Sequence, residues 1–267
     1  MGRLEGVGFA ARLGNAFVAY VRYLAKMVWF GGLAVFYPHP GTWPAWQVLA
    51  AALLLAAISG VALWRVRRAP WLAVGWFWFL GTLIPVLGLV QVGWQSMADR
   101  FSYFPSIGLL VMLCWSLPAL LFEARSGRMI LVSAAGTCLL TLSVFTQRQV
   151  GYWRNSVTLF EHALRVTEGN WLAHNNLGNA LVADGKFAEA TEHLRQVIAL
   201  RPDYAEGYNN LGIAYVQLDR IDEAIELFRT VLRLQPDSEF GRVNLATALK
   251  IKGEAPESRT GATHSPP

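Results

Sequence analysis

Four stretches of this chain, 46–64, 71–90, 104–122 and 129–145, are apolar for close to the length that a helix needs to cross a bilayer. That length is about 20 residues, and no ordinary soluble helix has reason to repeat it four times within 150 residues. With 54% hydrophobic and only 15% charged residues, the chain is also too apolar for a soluble globular protein. Trp43, Trp46, Trp64, Trp71 and Trp94 fall near the ends of these stretches, where an amphipathic ring favours the headgroup layer. Pro85 and Pro118 are expected to kink their helices.

A fifth stretch, 17–36, is long enough to span but carries Arg22 and Lys26, four residues apart and so on one helical face. It is either a fifth span or an interfacial helix whose cations lie at the headgroups. Orientation comes from the short connections. Arg65, Arg67 and Arg68 join the first two spans, Arg125 and Arg128 join the last two, and such loops stay cytoplasmic. The segments between them carry little basic charge, so the chain beyond the last span is expected outside the cytoplasm.

Charge divides the chain. Residues 1–150 hold 11 Lys or Arg and three acids, a net +8, whereas residues 151–267 hold 12 basic and 15 acidic residues, a net −3. The excess arginines cluster beside apolar runs, which argues for membrane orientation and against a nucleic-acid partner despite a pI near 9.4.

From Trp171 the sequence repeats at a period of 34 residues, with a second copy beginning at Ala205. Leu177, Gly178, Gly185, Phe187, Ala190 and Pro202 become Leu211, Gly212, Asp219, Ile221, Ala224 and Pro236. Small residues at a helix crossing, and a proline after the second helix, describe stacked helix hairpins of the tetratricopeptide (TPR) pattern. A further first helix is expected over 239–253 and a preceding second helix over 153–166. The fold class expected is therefore all-α: a membrane domain over 1–150 with four or five spans, a short TPR superhelix over 151–253, and a polar disordered tail over 254–267.

Within the repeats, Asn176, Asn210 and Asn244 recur at the 34-residue period. Stacking would set them along a concave surface, where amides can bind the main chain of an extended protein or peptide partner; Asn175, Asn179 and Asn209 would extend that polar surface. Asparagine is also a common residue at this place in TPRs, which leaves a purely structural role open.

Residues 97–108 read MADRFSYFPSIG, residues 33–44 read LAVFYPHPGTWP, and the membrane block runs into the repeats through YWRNSVTLFEHAL. In this order of parts the chain resembles the C-terminal half of bacterial relatives of the transmembrane and TPR-containing O-mannosyltransferase family, which is glycosyltransferase C-like. The resemblance implies a bacterial inner-membrane protein with a periplasmic TPR domain and a polyprenyl-phosphate sugar as a membrane-lipid partner. It also implies catalytic acids on an external loop of N-terminal helices that this sequence is expected to lack, so the chain alone is expected to be inactive and no catalytic residue is assigned. A guanidinium can hold a phosphate bidentately, which makes Arg100, with Tyr103 beside it, the candidate donor-phosphate group; simple pairing of Arg100 with Asp99 is the alternative.

Cys114 and Cys138 lie in apolar runs and are expected as buried small hydrophobes, and His39 as a loop residue. No metal-ligand spacing is present, and neither metal nor cofactor is expected. Two function classes result: a membrane-anchored TPR binding module, or a portion of a polyprenyl-phosphate-sugar-dependent protein O-glycosyltransferase.

Overall fold

The computed structural model describes residues 8–29, 31–87, 95–117 and 125–253, and these are mostly helical. In chain order the elements are α1 (Phe9–Val28), β1 (Tyr37–Pro38), α2 (Ala45–Trp64), α3 (Pro70–Leu83), β2 (Gln95–Met97), α4 (Tyr103–Trp115), α5 (Arg125–Tyr152) and α6 (Ser156–Val166). The repeats comprise α7 (Trp171–Ala183), α8 (Phe187–Leu200), α9 (Ala205–Gln217), α10 (Ile221–Leu234) and α11 (Glu239–Lys252). Two compact units result. One comprises the chain up to Asn155 with Arg165–Glu168, the other Ser156–Leu164 with the chain from Gly169 on.

In the first unit α1 is the organising helix. It turns Ala16, Ala19 and Tyr23 onto Leu55 and Ala62 of α2, Trp76, Phe79 and Leu83 of α3, and Tyr37 and Met97 of the small antiparallel β1–β2 ladder. Two polar side chains packed in this core are paired: the Tyr20 hydroxyl donates to the Leu80 carbonyl at 2.6 Å, and the Trp76 indole donates to Ser59 Oγ at 2.8 Å. The α3–α4 crossing is set by Gly75 and Gly108, since a Cβ on either would strike the other's carbonyl oxygen.

Two helices, Ala45–Trp64 and Ser126–Tyr152, are by length and composition able to cross a membrane. On α2, Trp46 and Trp64 are exposed at opposite ends of a rod about 30 Å long, with Leu49, Leu53 and Val61 exposed between them. On α5, Met129, Val132, Leu139, Leu140 and Val144 are all exposed.

The remaining expected spans differ in extent. The helix expected within 17–36 begins at Phe9 and stops at Val28. The stretch 71–90 is helical to Leu83 and continues as a 3-10 turn over Ile84–Val86, so Pro85 ends a helix rather than kinking one; residues 88–90 lie outside the described set. The stretch 104–122 is helical to Trp115, and Pro118 falls outside the described residues, as does the tail 254–267. The last helix runs past 145 to Tyr152. Cys114 and Cys138 are exposed and unbridged rather than buried, because both sit on outward faces of apolar helices.

In the second unit the period becomes hairpins. A Cβ on Gly178 would come within 2.6 Å of Leu194, and one on Gly212 within 2.5 Å of Phe228, so each first helix lies directly on its second. Ala190 and Ala224 are fully buried at those crossings. Each second helix stops two residues before its proline, at Leu200 and Leu234. The tight turn inside each hairpin needs a left-handed residue, supplied by Gly185 at φ 76° and by Asp219 at φ 59°. Asn170 and Ser238 cap α7 and α11 by accepting from the backbone N–H three residues on.

Candidate functional site

In the first unit the chain gathers charged groups that lie far apart in sequence. Asp99, at the start of the turn after β2, accepts from the Tyr37 hydroxyl at 2.7 Å and from the Ala34 backbone N–H at 3.1 Å through Oδ2. Its Oδ1 accepts no hydrogen bond among the described residues and faces the Lys26 ammonium at 3.8 Å. Lys26 in turn donates to the Gly32 carbonyl at 2.7 Å and to Tyr37 Oη at 2.5 Å. Burial pushes the Asp99 carboxyl above the ordinary carboxylate range, opposed by the Lys26 charge and the Tyr37 hydrogen bond. Burial, then the adjacent Asp99 charge, likewise raises the Tyr37 hydroxyl, which stays protonated and donating.

Arg22, one turn before Lys26, places its guanidinium over the rings of Tyr37 and Trp43, at 5.7 and 5.6 Å. Among the described residues no carboxylate or carbonyl pairs with it. It opens into a cavity of about 360 Å³, lined also by Pro38, Pro40, Thr167 and Glu168. Five N–H donors held against aromatic faces in a recess of that size can receive an anion.

Arg100 and Tyr103 do not join this cluster. Arg100 is exposed with its guanidinium 5.1 Å over the Phe101 ring, and Tyr103 is exposed with no hydrogen bond to Arg100. Asp99 therefore pairs with Lys26 and Tyr37, not with its neighbour Arg100. His39 lies in the loop after β1, where its Nδ1 accepts from the Gly41 N–H at 3.0 Å.

In the second unit the asparagines form a cross-repeat ladder. Asn210 Nδ2 donates to Asn175 Oδ1 at 3.0 Å, and Asn244 Nδ2 donates to Asn209 Oδ1 at 2.6 Å. Asn175 and Asn209 are buried rather than extending a polar surface, because each receives the amide of the next repeat. Asn176, Asn210 and Asn244 are half-buried, and Asn179 is exposed. Neither the Asn176 nor the Asn179 side chain has a hydrogen-bond partner among the described residues. Position 243 is Val, so the ladder ends at the third first-helix.

Residues 175–239 match the tetratricopeptide repeat family. The chain is similar to Protein O-mannosyl-transferase Tmtc2 of Drosophila melanogaster, 28% identical over 109 residues that make up 41% of this chain and 11% of that protein. It is also similar to Protein O-mannosyl-transferase TMTC1 of Mus musculus, 27% identical over 160 residues, 59% of this chain and 17% of that protein. The chain thus spans under a fifth of the length of these curated relatives. Among solved structures, the second TPR domain of human RPAP3 in complex with an HSP70 peptide aligns with 39% of this chain and 90% of its own at 23% identity, with a TM-score of 0.35.

The TPR doublets Asn175-Asn176 and Asn209-Asn210 were the visible signal of the ladder: Asn175 and Asn209 each accept from the following repeat, and Asn210 donates back to the preceding one. The Lys26–Tyr37–Asp99 cluster and Arg22 had no comparable signal, since their spacing in sequence is irregular and only the fold brings them together.

Proposed function

We propose that this chain is a membrane-anchored TPR protein that presents a protein- or peptide-binding superhelix on the non-cytoplasmic side, with the spans 46–64, 71–90, 104–122 and 129–145 as anchor and α1 as a fifth span or interfacial helix. The observation that supports it is the unequal commitment of the asparagines. Asn210 and Asn244 each commit an amide hydrogen to the neighbouring repeat, whereas the side chains of Asn176 and Asn179 have no partner among the described residues. A row of amides, some anchored and some open, suits main-chain recognition, with little demand on partner side chains.

Two variants separate scaffold from groove. Asn210→Ala removes the partner of buried Asn175 and should lower stability by about 1–3 kcal/mol. Asn179→Ala touches no described partner, so it should leave the thermal midpoint unchanged while weakening an extended peptide by about 0.5–1.5 kcal/mol. Both are read on the full chain in detergent, by thermal unfolding and by titration against a panel of unstructured peptides. Equal peptide binding by wild type and Asn179→Ala,Asn176→Ala would remove the groove.

A second reading is favoured by Arg22: a portion of a polyprenyl-phosphate-sugar-dependent O-glycosyltransferase, the curated relatives being named protein O-mannosyl-transferases. Its recess offers a better enclosed anion site than exposed Arg100 with Tyr103. If a lipid-linked phosphate lies there, Arg22→Lys keeps the charge, loses the planar fork and weakens donor binding, while Arg100→Ala leaves it intact. The opposite ranking returns the phosphate to Arg100 and Tyr103.

A further inference from the structure

The first complete TPR hairpin brings two imidazoles together. His174 on α7 and His193 on α8 are both half-buried, with Nδ1 atoms 3.1 Å apart and ring centroids 5.3 Å apart at an interplanar angle of 35°. One repeat later the same positions hold Tyr208 and Leu227. The hairpin packs there without nitrogen, so the crossing itself does not demand two facing imidazoles.

Two neutral rings in this arrangement must share one proton: one carries it on Nδ1 and donates, the other accepts. When the proton moves to Nε2 of the donor ring, both Nδ1 lone pairs become free with no net proton loss. Two nitrogens 3.1 Å apart, each about 2.0–2.1 Å from a common ion, subtend an angle of about 100°. That lies between the square-planar and tetrahedral values, and aiming both lone pairs at the ion requires a turn of each ring about its Cβ–Cγ bond.

We propose that His174 and His193 form a bidentate site for a late first-row divalent metal ion. Among the described residues no third His, Cys, Asp or Glu joins them in a cluster, so the remaining coordination positions are left to water. Two imidazoles with open positions suit copper(II) first and nickel(II) next. Zinc(II), which favours three or four protein ligands, binds more weakly here.

The test uses the untagged full chain in detergent, titrated separately with copper(II), nickel(II) and zinc(II) salts by calorimetry, with electron paramagnetic resonance on the copper form. Wild type should bind one copper(II) whose spectrum shows splitting from two imidazole nitrogens. His174→Gln and His193→Gln should each lose roughly 10-fold or more in copper affinity and retain one nitrogen. Copper bound at His39, His162, His264 or the amino terminus would survive the double variant unchanged, and that result overturns the proposal. Spectral splitting from fewer than two nitrogens in wild type overturns it too, and needs no variant to fold.

Discussion

At the residue scale, the Tyr37 hydroxyl is the most heavily used polar atom of the first unit. It donates to Asp99 and lies within hydrogen-bonding reach of the Ala34 N–H and the Lys26 ammonium. Tyr37→Phe leaves those groups short of a partner in a half-buried site and should cost about 1–3 kcal/mol, seen as a lower thermal midpoint in detergent. Asp99 adds a pH signature. Its folded value is raised above the ordinary 3.8, so the folded chain holds this proton more tightly than the unfolded one. Its contribution to stability is then fully present below 3.8 and is lost as pH rises through the folded value. Asp99→Asn should flatten the midpoint-against-pH curve above 3.8, and an unchanged slope would show that the carboxyl does not titrate in that window.

At the element scale, two small backbone details decide how helices meet. Gly75 faces the Gly108 carbonyl across α3 and α4, and an added methyl must push backbone away from backbone. Gly75→Ala should therefore destabilise by about 1–3 kcal/mol, whereas Gly60→Ala and Gly81→Ala, where a Cβ meets nothing within 4 Å, should be neutral or slightly stabilising. In the second hairpin Asp219 occupies the left-handed turn that Gly185 fills in the first. Asp219→Gly should raise the thermal midpoint, worth about 1 kcal/mol, and a fall would mean that the Asp219 side chain contributes more than its backbone conformation costs. The TPR hairpins were legible from the sequence because Leu177, Gly178, Ala190 and Pro202 recur one period later and each has a packing or chain-stopping duty. Asn176, Asn210 and Asn244 were legible as a register for the same reason. The ends of α1 and α3 were not. Apolar composition continues past Val28 and Leu83, and hydropathy does not register the glycines and proline that stop a helix there.

At the scale of the whole molecule, the governing quantity is the asymmetry of charge about the apolar helices. Arg65, Arg67 and Arg68 come directly after α2, and Arg125 and Arg128 stand in the first turn of α5. Basic residues flanking spans stay on the cytoplasmic side, so both groups belong on one face of the membrane under the proposed topology. From Arg128 to the first residue of α6 the chain has α5 alone with which to cross. Its 28 residues reach about 42 Å, enough for a hydrocarbon core with length to spare. On that topology one crossing puts everything after Tyr152 on the opposite face from the arginines. Alkaline phosphatase folds to an active enzyme only outside the cytoplasm, which turns this geometry into a readout. Fused after Gly253 it should be active, and fused after Arg68 it should be silent. Activity after Arg68 alone would invert the orientation, and silence at both sites would mean that α5 does not cross, leaving the TPR hairpins and any peptide partner on the cytoplasmic side.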